Sequence, residues 1–400
     1  MHASTWAVGP SGQQRSPHLD RSTMFALVPA QQPYAWGSTR AIQEYAGVGV
    51  PGHPLAEIWF GSHPAGSSTL ADGRTLAALI AEDPTRALGA AVAERFDSEL
   101  PYLVKLLAPG RAVSLQVHPS AARAAQGFAA DAAAPASDRR FVDGNHKPEM
   151  IFALTQFEGL VGLRSAEDIA RTLAPFGLAR TQAALEALDP GDEPALRKAV
   201  EILATAPAES VAEAVAAATR LAADGSESAG TLLELEQQYP GDAGALVSLM
   251  LERVRLAPGE SVMVHSGVPH AYLSGLALEV MANSDNVFRL GLTPKRVDVG
   301  ESIANLITRP AYLSRPHSAS ASAGVEEFRV DLHEGEGGDK GSQVPAFGPK
   351  ILIALADQCE LVSGDERLEL HRGAGAFILD GETPIVHGSG SFAVISVPTS

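Results

Sequence analysis

The sequence predicts a mainly β protein with an α-helical insertion, built on jelly-roll barrels. Three observations predict it. From Met24 to Leu163 short apolar runs alternate with Pro and Gly, the punctuation of strands and turns. From Arg164 to Met250 the chain becomes alanine-rich, with apolar residues at helical spacing. After Leu251 a strand, turn, strand, histidine unit appears: Pro258-Gly259, Glu260 to Val264, Ser266-Gly267, then Val268-Pro269-His270. That rhythm is typical of small jelly-roll barrels.

Four hundred residues exceed one ordinary core and call for two or three domains. An apolar content of 45% with 19% charged residues is that of a folded soluble chain. The formal net charge of −17 argues against a nucleic-acid partner, whose phosphates need a basic face. The single cysteine, Cys359, excludes a disulfide framework and a cysteine-rich zinc site, and fits a reducing cytoplasm. Residues 1–23 read as a disordered leader with no secretory signal, and Met24 is a candidate start. No stretch has the length and apolarity of a membrane span.

Taken in order, Phe25-Ala26-Leu27-Val28 opens the β text, and Tyr34 to Ser38 and Ala56 to Gly61 set aromatics beside glycines. A helical interlude begins near Thr75 and runs past Pro84. Leu103 to Leu107 is a buried strand carrying Lys105, whose plain reading is a lysine snorkelling from a strand end. Between Val113 and His118 alternation puts Ser114, Gln116 and His118 on one strand face. Such a face can simply meet solvent. Ser120 is positioned to cap the next helix. The loop Phe141 to Asn145 leads to His146-Lys147-Pro148-Glu149-Met150, which sets Glu149 on the first residues of a strand.

In the helical stretch Ser165 and Asp168 make a capping-box-like start, and Leu196, Val200 and Leu203 share one helix face. This stretch holds no cluster of His, Cys or paired acids, so it reads as a structural insertion. Leu276 to Met281 is an apolar strand containing Glu279, followed by Asn283-Ser284-Asp285-Asn286 and a run through Arg289 to Lys295. A Pro, Ser and Ala linker over 309–324 leads to five short strands between Ile351 and Val397, read as a second jelly roll without chemistry.

Gln116, His118, Glu149 and His270 together offer two imidazoles and two oxygens, a set suited to Zn²⁺. The plainer alternative is that both histidines are hydrogen-bonded barrel residues and that Glu149 pairs with Lys147. A metal beside Lys105, Lys147, Arg289 and Lys295 suits a phosphorylated, polyhydroxylated substrate. The chemistry would be proton transfer between neighbouring carbons through an enediol.

These residues resemble the type I phosphomannose isomerases, zinc-dependent cupins. The resemblance rests on Tyr34 to Ser38, Ala56 to Trp59, Gln116 to Pro119, Asn145 to Met150, His270 to Tyr272 and Asn283 to Lys295, in order along 24–306. It implies a cupin (jelly-roll) catalytic barrel over 24–163 and 251–308, a helical domain over 164–250, and a second cupin-like C-terminal domain over 325–400. By the resemblance Gln116, His118, Glu149 and His270 hold one zinc ion per chain, and Arg289 is the active-site arginine. Lys105, Ser114 and Lys147 line the substrate and phosphate pocket with Glu57, Tyr272, Glu279, Asp285 and Lys295. His146, Lys147, Asp285 and Glu279 remain alternatives for the proton-transfer group. Ser120 departs from the family, which commonly has Asp there. The expected partner is a phosphorylated hexose, with no nucleic acid, no membrane, and a monomeric state. Two other classes stay in play: an iron-dependent cupin oxygenase and a non-catalytic sugar-phosphate-binding cupin.

Overall fold

The structure, a computed structural model, describes residues 22–308 apart from 136 and 189–191, and 320–399 apart from 322–323 and 334–340. Of the expected leader, residues 1–21 lie outside the described residues, as does most of the expected linker over 309–324. The chain divides into two compact units, Met1–Ala108 with Leu276–Asn283 and Arg315–Ser400, and Pro109–Gly275 with Ser284–Ser314.

In the first unit the strands Ala30–Gln32, Glu57–Phe60, Tyr102–Leu107 and Ala277–Ala282 lie side by side and antiparallel. The later strands form two more sheets. One contains Gly375–Ile378, Lys350–Ala354, Phe392–Ser396 and Arg329–His333; the other contains Ile385–His387, Gln358–Ser363 and Glu366–His371. Their alternating apolar residues, among them Leu352, Ile378, Val394, Leu361 and Val386, share one buried core, which also takes in Cys359. This is the way antiparallel strands of period two build a sandwich. Sequence order grouped Met24–Leu27 with the N-terminal strands, but its backbone pairs with Gly375–Ile378, Met24 opposite Ile378. Strand partners are set by free edges, not by proximity along the chain.

The second unit is organised on a five-stranded antiparallel sheet in the order Phe288–Gly291, Leu115–Val117, His270–Ser274, Phe157–Leu163, Leu251–Leu256. Glu149–Ala153 pairs separately with Ser261–Val264. The helices include Ala166–Leu173, Glu193–Ala204, Ala208–Ala223 and Glu227–Gln238. The Ser165 hydroxyl caps the first of them by accepting from the Asp168 amide, and Leu196, Val200 and Leu203 are buried on one face of the second.

Alternation decides which face of the sheet the helices cover. Leu115, Val117, Ala271, Leu273 and Leu290 enter one core cluster with helix residues such as Ile169, Leu203 and Leu232. Side chains of the opposite parity, Gln116, His270, Tyr272 and Arg289, are thereby turned to the other face. Each fully buried leucine contributes about 2 kcal/mol of apolar burial, so a one-residue slip in any of these strands would be opposed by several such losses. The helical region therefore holds the back of the sheet that carries the polar row.

Candidate metal centre

The polar row is set by register. In the sheet, Gln116 lies directly opposite Arg289 on one side and His270 on the other. His118 follows the same strand, and Glu149 is the first residue of its own strand, opposite Val264. The turn before His270 requires Gly267, which has φ +89°; an added Cβ would meet the Ile307 side chain at 2.5 Å. Its amide donates to the His118 carbonyl at 2.7 Å, tying the two histidine-bearing segments together.

His118, Glu149 and His270 bring metal-ligating atoms within 4.8 Å of one another, and all three side chains are buried. His118 Nε2 stands 3.4 Å from Glu149 Oε1, and His270 Nε2 3.4 Å from Glu149 Oε2. The other ring nitrogens are committed: His118 Nδ1 to the Asn286 carbonyl at 2.7 Å, and His270 Nδ1 to the Val268 carbonyl at 2.9 Å. A carbonyl oxygen only accepts, so each Nδ1 carries a hydrogen, and the Nε2 of each ring faces the cluster. Gln116 Nε2 donates to His270 Nε2 at 3.1 Å, and the Ser114 hydroxyl donates to Gln116 Oε1 at 3.2 Å. His118 Nε2 has no hydrogen-bond partner among the described residues.

Burial, reinforced by the nearby Lys147 ammonium, pushes His118 down to about 4, so the ring is neutral at physiological pH. Burial alone would raise Glu149, but Lys147 and the two histidines outweigh it and hold the carboxylate ionised well below its usual range. Lys147 Nζ lies 2.7 Å from Glu149 Oε1, and the Tyr272 hydroxyl donates to Oε2 at 3.0 Å. Glu149 thus pairs with Lys147, as the plainer reading expected, and faces two imidazole nitrogens as well. Arg289 is partly buried, its Nε has no partner among the described residues, and burial lowers its pKa from the ordinary arginine value.

The remaining candidates fall into separate places. Glu57, Lys105 and Glu279 come together in the first unit, with Lys105 Nζ 2.9 Å from Glu279 and 3.6 Å from Glu57. Lys105 sits mid-strand and buried, against the Trp59 ring at 5.3 Å, and does not reach out from a strand end. His146 is partly exposed, and Asp285 and Lys295 face solvent.

Comparison with known proteins decides the family. The type I phosphomannose isomerase catalytic-domain model matches residues 24–166. Mannose-6-phosphate isomerase of Escherichia coli (strain K12) is 36% identical over 389 residues, covering 92% of this chain and 98% of that protein. The chain belongs to the mannose-6-phosphate isomerase family. A crystal structure of a point mutant of phosphomannose isomerase from Salmonella typhimurium, 34% identical, superposes with a TM-score of 0.86 over 94% of this chain and all of that one. A solved mannose 6-phosphate isomerase bound with zinc and yttrium gives a TM-score of 0.85 at 34% identity, again over 94% of this chain and 100% of that chain. The chain accordingly has the cupin fold of this isomerase family.

The donor set fits a divalent cation. Two imidazole nitrogens and an ionised carboxylate converge in a buried space, with His118 Nε2 unpartnered among the described residues, and such a convergence is one that a cation would satisfy. Sequence reasoning singled out the residues of this cluster but missed what holds them. Asn286, fully buried, supplies the carbonyl for His118, and its side chain bonds the loop that precedes Lys147. The signal was available in the polar motif Asn283 to Asn286 and in Asp143, neither of which can be matched to a partner without coordinates.

Proposed function

We propose that this isomerase interconverts mannose 6-phosphate and fructose 6-phosphate, with one zinc ion per chain held by Gln116, His118, Glu149 and His270. The observation that carries the reading is the convergence of the His118 and His270 Nε2 lone pairs on the Glu149 carboxylate, in a sheet whose register sets Arg289 beside Gln116. When bound, the ion supplies Lewis-acid polarisation of substrate oxygens. The partly buried Arg289 guanidinium holds the oxyanion that develops as the enediol forms. Lys147 keeps Glu149 ionised, and Tyr272 orients it through Oε2.

Ser114, Lys147, Tyr272 and Lys295 are proposed to contact the phosphorylated hexose. The proton travels between C1 and C2 on one of His146, Lys147, Asp285 and Glu279. The resemblance also gives Lys105 and Glu57 substrate roles; in the first unit Lys105 is paired with Glu57 and Glu279. The catalytic cupin is assigned to 24–163 and 251–308, the helical insertion to 164–250, and a second cupin-like domain to 325–400. A monomeric state and a place in GDP-mannose synthesis are part of the proposal, as is a cytoplasmic location, with which the lone buried free Cys359 is consistent. Among the described residues no helix is long and apolar enough to cross a membrane.

The test is fructose 6-phosphate formation from mannose 6-phosphate by the purified protein as isolated, after chelation, and after zinc is restored. Activity that vanishes with the chelator and returns with zinc is expected. Metal-loaded protein that binds the sugar phosphate but never converts it would leave a binding cupin instead.

A further inference from the structure

The polar contacts around the cluster converge on Asn286, whose carbonyl faces His118 Nδ1 and whose side chain bonds the loop before Lys147. Asn286 is fully buried, and both the donor and the acceptor atom of its side chain are engaged. Its Nδ2 donates to the Asp143 carbonyl at 2.9 Å, to Asp143 Oδ1 at 3.0 Å and to the Asn145 carbonyl at 2.9 Å. Its Oδ1 accepts from the Val142 amide at 2.9 Å. Asp143 answers from the other side, accepting from the Ser284 hydroxyl at 2.9 Å and the Asp285 amide at 2.7 Å. The single Ser284 hydroxyl hydrogen is shared between Asp143 and the Asn145 carbonyl at 3.1 Å, and the hydroxyl oxygen accepts from the Asn286 amide at 3.2 Å. The result is a reciprocal clamp between the loop 142–145 and the loop 284–286.

Both loops feed the candidate metal centre. The first runs directly into Lys147 and Glu149; the second carries the carbonyl that takes the His118 Nδ1 hydrogen, and three residues later Arg289. We infer that Asn286 is a positioning residue that sets the His118 ring and the Glu149 segment together, through its carbonyl to one and its carboxamide to the other. The inference rests on the metal reading of the cluster and deepens it. A ring held at Nδ1 by a fixed carbonyl has one tautomer and one orientation, which gives its Nε2 a defined direction. A buried carboxamide that donates to two main-chain carbonyls cannot be replaced by a carboxylate, which has no hydrogen to donate and would face Asp143 as a like charge.

The experiment is zinc affinity by chelator competition, with thermal stability measured alongside, for wild type, Asn286→Ala, Asn286→Asp and Val211→Ala. Val211 is buried in the helix Ala208–Ala223 and provides a variant with lowered stability away from the clamp. Asn286→Ala is expected to bind zinc about 10–100-fold more weakly. Asn286→Asp should be no better, and Val211→Ala should bind as wild type does. A role of filling space would leave Asn286→Asp near wild type and would overturn the inference, as would unchanged affinity in Asn286→Ala or an equal loss in Val211→Ala. If Asn286→Ala fails to fold, Ser284→Ala, which removes the hydroxyl bridging both loops, should weaken zinc about tenfold, and unchanged affinity there overturns the inference equally. Wild-type protein that takes up no zinc sinks the metal reading itself, whereas tight wild-type binding with indifferent clamp variants sinks only the role of Asn286.

Discussion

Two buried carboxylate clusters can be set against each other. In the first unit Glu57 and Glu279 flank Lys105, and Trp59 Nε1 donates to Glu57 at 2.7 Å. In the second, Glu149 is flanked by Lys147, and two imidazole nitrogens and a tyrosine hydroxyl stand around it. Every polar group identified in the first cluster meets an opposite charge or a donor. In the second, a buried ion pair is already complete, and His118 Nε2 faces the carboxylate with no hydrogen-bond partner among the described residues. The difference teaches that a buried lysine–carboxylate pair is compatible with scaffold, whereas surplus acceptors in a dry space mark a place for a cation.

The largest expected effect separates the two clusters directly. Glu149→Gln should weaken zinc by more than the roughly 100-fold that loss of an outer partner can cost, and activity should fall with it. Glu279→Gln should leave zinc in place and instead cost about 3 kcal/mol of stability, as breaking a buried pair does. Chelator competition and urea unfolding on both variants check this; zinc retained in Glu149→Gln, or lost in Glu279→Gln, would erase the contrast.

A second prediction concerns Arg289, the partly buried cation whose Nε has no partner among the described residues. Arg289→Ala should retain zinc and reduce turnover about 10²–10³-fold, the loss typical of removing an oxyanion donor. Turnover within a few-fold of wild type, with metal retained, would return Arg289 to the scaffold.

The smallest effect is one of pH, in protein stripped of metal by a chelator. The His118 pKa is depressed to about 4 from 6.5, so between those values the unfolded chain binds more protons than the folded one. Its contribution is therefore fully present above about pH 6.5 and is lost as pH falls towards 4, by about 3 kcal/mol in all. Glu149, held ionised well below its usual range, adds a loss in the same direction below about pH 4.5. Urea midpoints at pH 7 and 4.5 should differ by more in the wild type than in His118→Gln.

Much of this was legible because alternation and punctuation are local. The strand parity of Gln116 and His118, the strand start at Glu149, the turn that delivers His270 and the Ser120 cap all follow from a few adjacent residues. Less legible were features that depend on a partner far along the chain. The strand foreseen from Val113 to His118 is confined to Leu115–Val117, although the Val113 amide and the His118 carbonyl still bond to Tyr272 and Gly267. Lys105 meets Glu279 through a register that joins residues 174 positions apart, opposite one another in adjacent strands. Nothing in the text around Lys105 announces that pairing.

The sequence by itself determined the element types, the apolar parity of each strand and the set of donor atoms available, since these depend on side-chain chemistry and on periods of two and 3.6. Only the tertiary structure decided that Met24–Leu27 pairs with Gly375–Ile378. It also decided that Arg289, Gln116 and His270 stand in one row, and that the Asn286 carbonyl fixes the His118 tautomer. Those are statements about which distant groups share a few ångströms. Such proximity follows from the packing of the whole chain, in which each local segment has many possible partners and the common core selects one.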